Sequence, residues 1–500
     1  MHFKPILSAA VVCLILSDFT QAAGISNGIV HKSSGRLAAE AIAVSYRESQ
    51  ERFLQSSKDV ENCPTLITDE LRAEIAAYQP VANQIMEAVV NGAWKSKTYD
   101  ALHDLVDKYP IRQSGHKNLE DSIDYMMEKM TEYGFDNVRG EQVLVPHWVR
   151  GEESAEMLAP HQKKLRILGL GTTVGTPQEG ITAEVLVVKN FADLDAKKDQ
   201  VRGKIVVYNQ GWLGSYGATV AYRSNGASHA SQYGAVATLI QSVAPFSLDT
   251  PHTGGQNYWD WENVTHIPTA CITVEDADFM LRLQEKGETI RVHLKMLDYN
   301  LPMTTSRNAI GEIGGVAIPT EYVAVSGHID SWDLGQGAMD DAGGVMISVM
   351  ALAVLKDLNL IPKRKLQAIL WTSEEAGLWG VDDFAKQHLD ILSNYSAVFE
   401  SDGGTFKPLG WTLQDQKLLA ASLIEEGVPG LSNNNEADKY FWYHHTEADT
   451  ITMMDSVELD LNTAMWAVSS YVIADLSVKL PRDDSPAKTV ITSNDISQHL

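Results

Sequence analysis

The stretch that most constrains this chain is Ser326–Gly344, SGHIDSWDLGQGAMDDAGG. The apolar run before it, from Glu321 to Val325, predicts a buried strand. Val345–Leu358 follows, apolar nearly all round, and predicts a buried helix. Between them stand one imidazole, His328, and four carboxylates, Asp330, Asp333, Asp340 and Asp341. The space just past the carboxyl end of a strand is where an open α/β sheet builds its sites. Adjacent carboxylates repel one another unless a cation sits among them. A strand, an acidic loop and a buried helix in this order therefore ask for a metal ion.

The same alternation continues downstream. Strands are expected at 321–327, 365–372 and 396–401, with helices at 342–358 and about 376–389. That predicts an α/β fold whose central sheet is mostly parallel and has helices on both faces. Upstream, residues 67–133 read as helical: Leu71, Ile75, Ile85 and Val89 are spaced for a buried stripe, as are Leu102, Leu105 and Val106. Ile123, Met126, Met127 and Met130 form another stripe, which at this spacing is core. Between 160 and 290 the pattern changes to short β-rich runs punctuated by glycine and proline: Ile181–Val188, Lys204–Tyr208 and Ala235–Ile240. This predicts a β-rich domain inserted between two parts of the main fold, 61–159 and 291–480. Gly169, Gly171 and Gly175 are spaced like a nucleotide loop, but no matching acidic residue and helix follow, so turns are expected. His229, His252 and His266 stand singly and are expected to be structural or at the surface.

The N-terminal end carries a processing signal. Lys4, the short apolar run Ile6–Leu16 and the small residues at Thr20–Ala23 form a secretory signal over 1–23. Residues 24–60 are a candidate propeptide or the first helix of the mature protein, and 481–500 are a polar tail. No other apolar run is long enough to span a membrane. A net charge of −25 argues against nucleic acid as a partner and favours solubility. Cys13 leaves with the signal; Cys63 and Cys271 can pair or stay as buried thiols, too few for a disulfide scaffold or a cysteine zinc site. Asn263-Val-Thr and Asn394-Tyr-Ser are glycosylation acceptors if the chain is secreted.

Three further clusters complete a constellation. Glu374 and Glu375 close one strand, Glu400 and Asp402 close the next, and Tyr443-His444-His445-Thr446-Glu447-Ala-Asp449 lies in a loop-like stretch. In a regular strand Glu374 and Glu375 would point to opposite faces, so they converge only where the strand has ended; Ser373 and Gly377 allow that.

With these motifs on view, the region 321–455 closely resembles the co-catalytic di-zinc exopeptidases of clan MH. These include bacterial aminopeptidases and glutamate carboxypeptidases. The signal, the helical N-terminal part, the HWVRGEESAEM stretch and a protease-associated-like insert extend the resemblance to the longer, secreted members. The resemblance implies two Zn²⁺ per chain. His328 and Asp402 would bind the first, Glu375 and His445 the second, and Asp340 would bridge both. Glu374 would be the general base acting on a zinc-bound hydroxide. Asp330 would hold the other ring nitrogen of His328, and the Asp340–Asp341 peptide would be cis. One position departs from the pattern: His444 stands where many relatives carry a tyrosine that stabilises the oxyanion; here His444 or Tyr443 could take that role, or His444 could only pack, and an oxyanion role is favoured for His444.

The chemistry fits independently. Zinc takes imidazole nitrogen and carboxylate oxygen, and two zincs can share one carboxylate and a water. No Ser/His/Asp arrangement or nucleophile elbow is evident. The expected function is a secreted or lysosomal di-zinc exopeptidase, a carboxypeptidase or dipeptidase, acting on dipeptides and short peptides. The resemblance further implies a homodimer. Aminopeptidase-type specificity and glutaminyl cyclisation remain alternatives. A non-catalytic receptor on the same fold is a third, against which all five ligands and Glu374 are present.

Overall fold

The run that ends in His328 is the middle of a sheet. In the computed structural model, which describes residues 68–259, 264–413 and 420–482, it is the strand Ile318–His328. It lies between Arg364–Trp371 and Tyr395–Glu400, parallel to both, and Gly430–Asn435 adds a fourth parallel strand. The sheet has seven strands, and its outer pairings are antiparallel. The expected mostly parallel sheet is thus parallel only at its centre. The reason is topological: the chain leaves the sheet along Asp136–Val149 and returns beside it along Tyr299–Gly314, and a return beside the exit runs in the opposite sense.

Alternation along these strands sorts side chains to two faces. Val323, Val325, Leu366, Ala368, Leu370, Ala397 and Phe399 pack with the helices Lys97–Lys108, Lys117–Glu132, Gly343–Asp357 and Ser456–Asp475. Ala324, Ile369, Trp371 and Val398 pack on the other face with Val381, Phe384 and Leu423. Met126 and Met130 lie in the first of these cores, as their spacing predicts. Against the sequence expectation, Ala338–Asp357 is long and apolar enough to cross a membrane, because the turn before the helix extends the apolar run, but it is wholly buried inside the protein.

The excursion between Val149 and Tyr299 builds a second sheet of eight strands. It takes in Glu153–Ala159 and Arg291–Met296 as well as strands between 160 and 290. Four of its strands, from Ile181–Val188 to Thr269–Ile272, are parallel. Helices Ala221–Gln232 and Val274–Glu285 accompany them, so this part is less purely β than the sequence pattern suggests. Ala221–Gln232 is rich in Ala, Ser and Gly and has no apolar stripe, which hides it from a periodicity reading. Its Gly226 lies so close to Tyr208 and Ile240 that a Cβ would sit about 3 Å from their rings and methyls.

The remaining expectations fall variously. His229 stacks on Phe191 and meets Trp259 edge-on, and His266 stacks on Tyr258. Cys271 is a buried free thiol, pushed up to about 12 by burial. Asn394 is half-buried in a short turn. The signal, the propeptide candidate, Cys13, Cys63, Asn263 and the tail beyond 482 lie outside the described residues.

Candidate metal centre

The loop after His328 is short on regular structure, so its shape comes from outside it. Arg112, fully buried, donates to the carbonyls of Ile329, Gln336 and Gly337 at 2.7–2.8 Å and so folds the loop around one guanidinium. Gly337 has φ of 55°, and a Cβ there would strike Ser331 at 2.4 Å. Of the four carboxylates in this stretch, two leave the centre. Asp333 makes a bidentate pair with Arg150 at 2.6 and 2.9 Å. Asp341 accepts the amides of His328 and Gly344 and so ties the strand end to the helix start.

Asp340 stays. Its amide and that of Met339 donate to the two oxygens of Asp449, which fixes the turn Ala338–Ala342, and the Asp340–Asp341 peptide bond is cis. One oxygen of its carboxylate lies 3.1 Å from His328 Nε2. The other lies 3.3 Å from His445 Nε2 and 3.6 Å from His444 Nε2. Asp402, two residues past its strand, approaches His328 Nε2 at 3.4 Å, and Glu375 approaches His445 Nε2 at 2.9 Å. The five residues expected as ligands therefore meet in one place, in two groups that share Asp340. His328, Asp340 and Asp402 form one possible metal cradle; Asp340, His444 and His445 form another, in which His444 is an unexpected donor.

Asp330 meets the other ring nitrogen of His328 through its backbone. His328 Nδ1 meets the Asp330 carbonyl at 3.1 Å, while the carboxylate stands 3.7 Å away. The two carboxylate oxygens instead accept the amides of Glu374 and Glu375. These two residues follow the strand Arg364–Trp371 through Ser373, whose φ is 57°, in a turn closed by Gly377 N–H to the Glu374 carbonyl. The strand has ended, so adjacent side chains are free of the alternation that would separate them.

The electrostatics bear on whether a cation fits. His328 and His445 both use Nδ1 against a backbone carbonyl, which only accepts, so Nδ1 carries the proton and Nε2 turns its lone pair toward carboxylates. Without a cation that arrangement is repulsive unless a proton takes its place. Accordingly, burial disfavours charge on His445, yet Glu375 and Asp340 raise it to about 9. His328 is raised well above its usual range against the same burial penalty. Burial would raise Asp340, but His328 and His445 hold it well below the carboxylate range. Glu374 is pushed well up by burial and then by Asp402; Glu375 and Asp402 are also raised, chiefly by burial. Nitrogen and oxygen donors of this kind suit zinc.

The second sheet reaches the centre, which the sequence did not disclose. The Thr253 carbonyl is the partner of His445 Nδ1, and His252 Nδ1 lies 2.7 Å from the His444 carbonyl. Tyr216 meets the His444 ring edge-on at 5.2 Å. Its hydroxyl accepts from Arg223, which also donates to the Thr253 carbonyl and whose Nε–H has no partner among the described residues. Burial and then the neighbouring His445 charge hold His444 well below the usual imidazole range. No local pattern marks Arg112, Tyr216, Arg223 or Thr253, because each acts on residues far away in the chain; Asp449 closes the histidine cluster, but its bonds to the Met339 and Asp340 amides are not visible there.

Comparison with known proteins agrees with this geometry. The model of Peptidase family M28 matches residues 308–412. Carboxypeptidase Q of Mus musculus is 46% identical over 440 residues, covering 83% of this chain and 93% of that one. Carboxypeptidase Q of Homo sapiens is 46% identical over 441 residues with the same coverage. Among solved structures, a Peptidase M28 precursor from Shewanella amazonensis SB2B has a TM-score of 0.77 at 30% identity, covering 82% of this chain and 99% of that one. An aminopeptidase from Aneurinibacillus sp. strain AM-1 shares the fold with a TM-score of 0.57 at 19% identity, covering 80% of this chain and 98% of that one.

Proposed function

This chain belongs to peptidase family M28 and is a zinc-dependent metallopeptidase; from that premise we propose that it is a di-zinc exopeptidase that removes residues from dipeptides and short peptides with a free carboxyl end. His328 and Asp402 would hold one zinc, Glu375 and His445 the other, and Asp340 both. The two donor groups that share Asp340 support a count of two. Bound zinc supplies Lewis acidity toward the scissile carbonyl and makes a water acidic near neutral pH.

The chain's own residues do the rest. Glu374 takes the proton of the attacking water and returns it to the leaving amine. Its raised affinity for a proton, caused by burial and by Asp402, supports that role. Asp330 presents the base and its neighbouring ligand by holding both their amides. His444, neutral and beside the shared carboxylate, donates to the oxyanion.

The polarity of the substrate rests on Arg223. It is 5% exposed, beside Tyr216 and close to His444, with an Nε–H that lacks a partner among the described residues. A buried guanidinium with an unused donor is satisfied by a carboxylate, and a substrate's free terminus supplies one. Residues 160–290, with the flanking strands Glu153–Ala159 and Arg291–Met296 that join their sheet, read as a protease-associated-like insert that covers the site and restricts it to short substrates. The contacts of Tyr216, His252 and Thr253 with the His444–His445 loop support that reading. The signal over 1–23 supports a secreted or lysosomal protein, and N-terminal sequencing of exported material checks it. Assembly as a homodimer rests on the resemblance alone, and sedimentation measures it.

The test is a dipeptide panel with free, N-acetylated and C-amidated ends. Acetylated dipeptides should be cleaved and amidated ones should be poor substrates. Equal cleavage of amidated and free dipeptides would overturn the carboxyl-end reading.

A further inference from the structure

The loop Pro251–Gly255 belongs to the second sheet, yet it meets the end of the first sheet's histidine loop through three hydrogen bonds. His252 Nδ1 donates to the His444 carbonyl at 2.7 Å. Thr253 N–H donates to the His445 carbonyl at 3.0 Å, and His445 Nδ1 donates to the Thr253 carbonyl at 3.1 Å. The contacts join residues 192 positions apart. His252 and Thr253 are buried, so water does not compete for these bonds.

The loop is itself held from behind. Ser242 accepts the His252 amide, the Thr253 hydroxyl donates to the Gly169 carbonyl, and Arg223 donates to the Thr253 carbonyl. Gly254 has φ of 143°, and a Cβ there would lie 2.2 Å from Arg223 Cζ, so the guanidinium packs directly on the loop backbone. On the other side, His445 has φ of 59°, a conformation that non-glycine residues keep only where the surroundings over-determine it. The paired bonds to Thr253 do that. They also settle which ring nitrogen of His445 is bare, because Nδ1 must carry the proton.

We propose that the second sheet is a working part of the metal centre, with His252 and Thr253 as positioning residues that aim His445 Nε2 at the metal shared with Glu375. The proposal rests on His445 being a ligand and deepens that reading. Its consequence is that the metal site held by His445 and Glu375 is complete only while the two sheets are docked. The Thr253 carbonyl on His445 Nδ1 is a partner of the kind worth about 10–100-fold in metal affinity, and His252 acts one step further out, by fixing the adjoining His444 carbonyl, so that figure is the upper bound of its effect.

The test is zinc retention by the purified full chain, measured by elemental analysis after dialysis against graded chelator. His252→Ala should release one zinc at lower chelator strength than the unaltered chain, by up to about 10–100-fold, and keep the other. His252→Asn places an amide N–H near Nδ1 and should restore retention; His252→Gln reaches past that position and should not. His445→Ala, run alongside, should lose one zinc outright. If His445→Ala keeps both zincs, the ligand reading itself fails. If His445→Ala loses one while His252→Ala holds both like the unaltered chain, only the positioning proposal is overturned. Should His252→Ala not fold, equal retention by the Asn and Gln variants overturns it.

Discussion

Asp330 Oδ1 accepts the amide of Glu374 at 3.0 Å, and its Oδ2 accepts the next amide, that of Glu375, at 3.2 Å. One buried carboxylate therefore sets the backbone of both residues just after their strand has ended. An asparagine there keeps one acceptor and turns an N–H toward the other amide, leaving a buried donor unpaired at a cost of about 1–3 kcal/mol. Asp330→Asn should lower kcat by at least about tenfold through misplacement of Glu374 and Glu375. Steady-state kinetics check this, and unchanged kcat would show that the fork does not position them.

Arg223 gives a second prediction. Arg223→Lys keeps a charge but loses the fork that serves Tyr216, Thr253 and an incoming carboxylate together. KM for dipeptides with a free carboxyl end should rise by about tenfold or more, in line with the loss of a charge-assisted bond. Cleavage of amidated dipeptides should fall less, so that the ratio between the two substrates narrows. Kinetics on the matched pair of substrates measure the difference.

The passage between the two sheets buries two carboxyl groups, which predicts a dependence of stability on pH. Glu153 follows the outgoing connection, and Asp298 lies on the returning one. Glu153 accepts from Gly169 N–H and Arg150, Asp298 accepts from Gly151 N–H, and Arg150 also grips Asp333. Burial pushes Glu153 up to about 8; Arg150 opposes this and Asp298 adds to it. A carboxyl raised on folding binds a proton more tightly in the folded chain. Its contribution is harmless below the unfolded value near 4.5 and weakens the fold increasingly as pH rises toward 8. Glu153→Gln should flatten the fall of Tm between pH 5 and about 8 and raise Tm at the upper end. Thermal melts across that range check it, and identical slopes in both proteins would contradict it.

How much of this was legible in the sequence follows from distance along the chain. The strand ending at His328 and the helix at Gly343–Asp357 announce themselves, because burial on all sides leaves unbroken apolar runs. The donors are legible for a related reason: each stands where such a run stops. The turn at Glu374–Leu378 shortens the expected helix to Trp379–Gln387, because Leu378 takes a left-handed φ of 61°. Hidden features are those made by remote pairs. Arg112 serves carbonyls 217 and more positions away, and His252 serves His444 192 positions away, so no local spacing betrays either. Asp333 misleads for the converse reason: it shares the acidic stretch but pairs with Arg150.

The proposed function gives two adjacent glutamates different work: Glu375 would hold zinc and Glu374 would only move a proton. The most direct measurement is zinc content together with kcat for Glu374→Gln, beside Glu375→Gln. Glu374→Gln should keep two zincs per chain while kcat falls by about 10²–10⁴-fold, the scale of general acid–base catalysis. Glu375→Gln should lose zinc as well as activity. A Glu374→Gln protein with near-normal kcat, or one that loses zinc as readily as Glu375→Gln, would contradict the assignment.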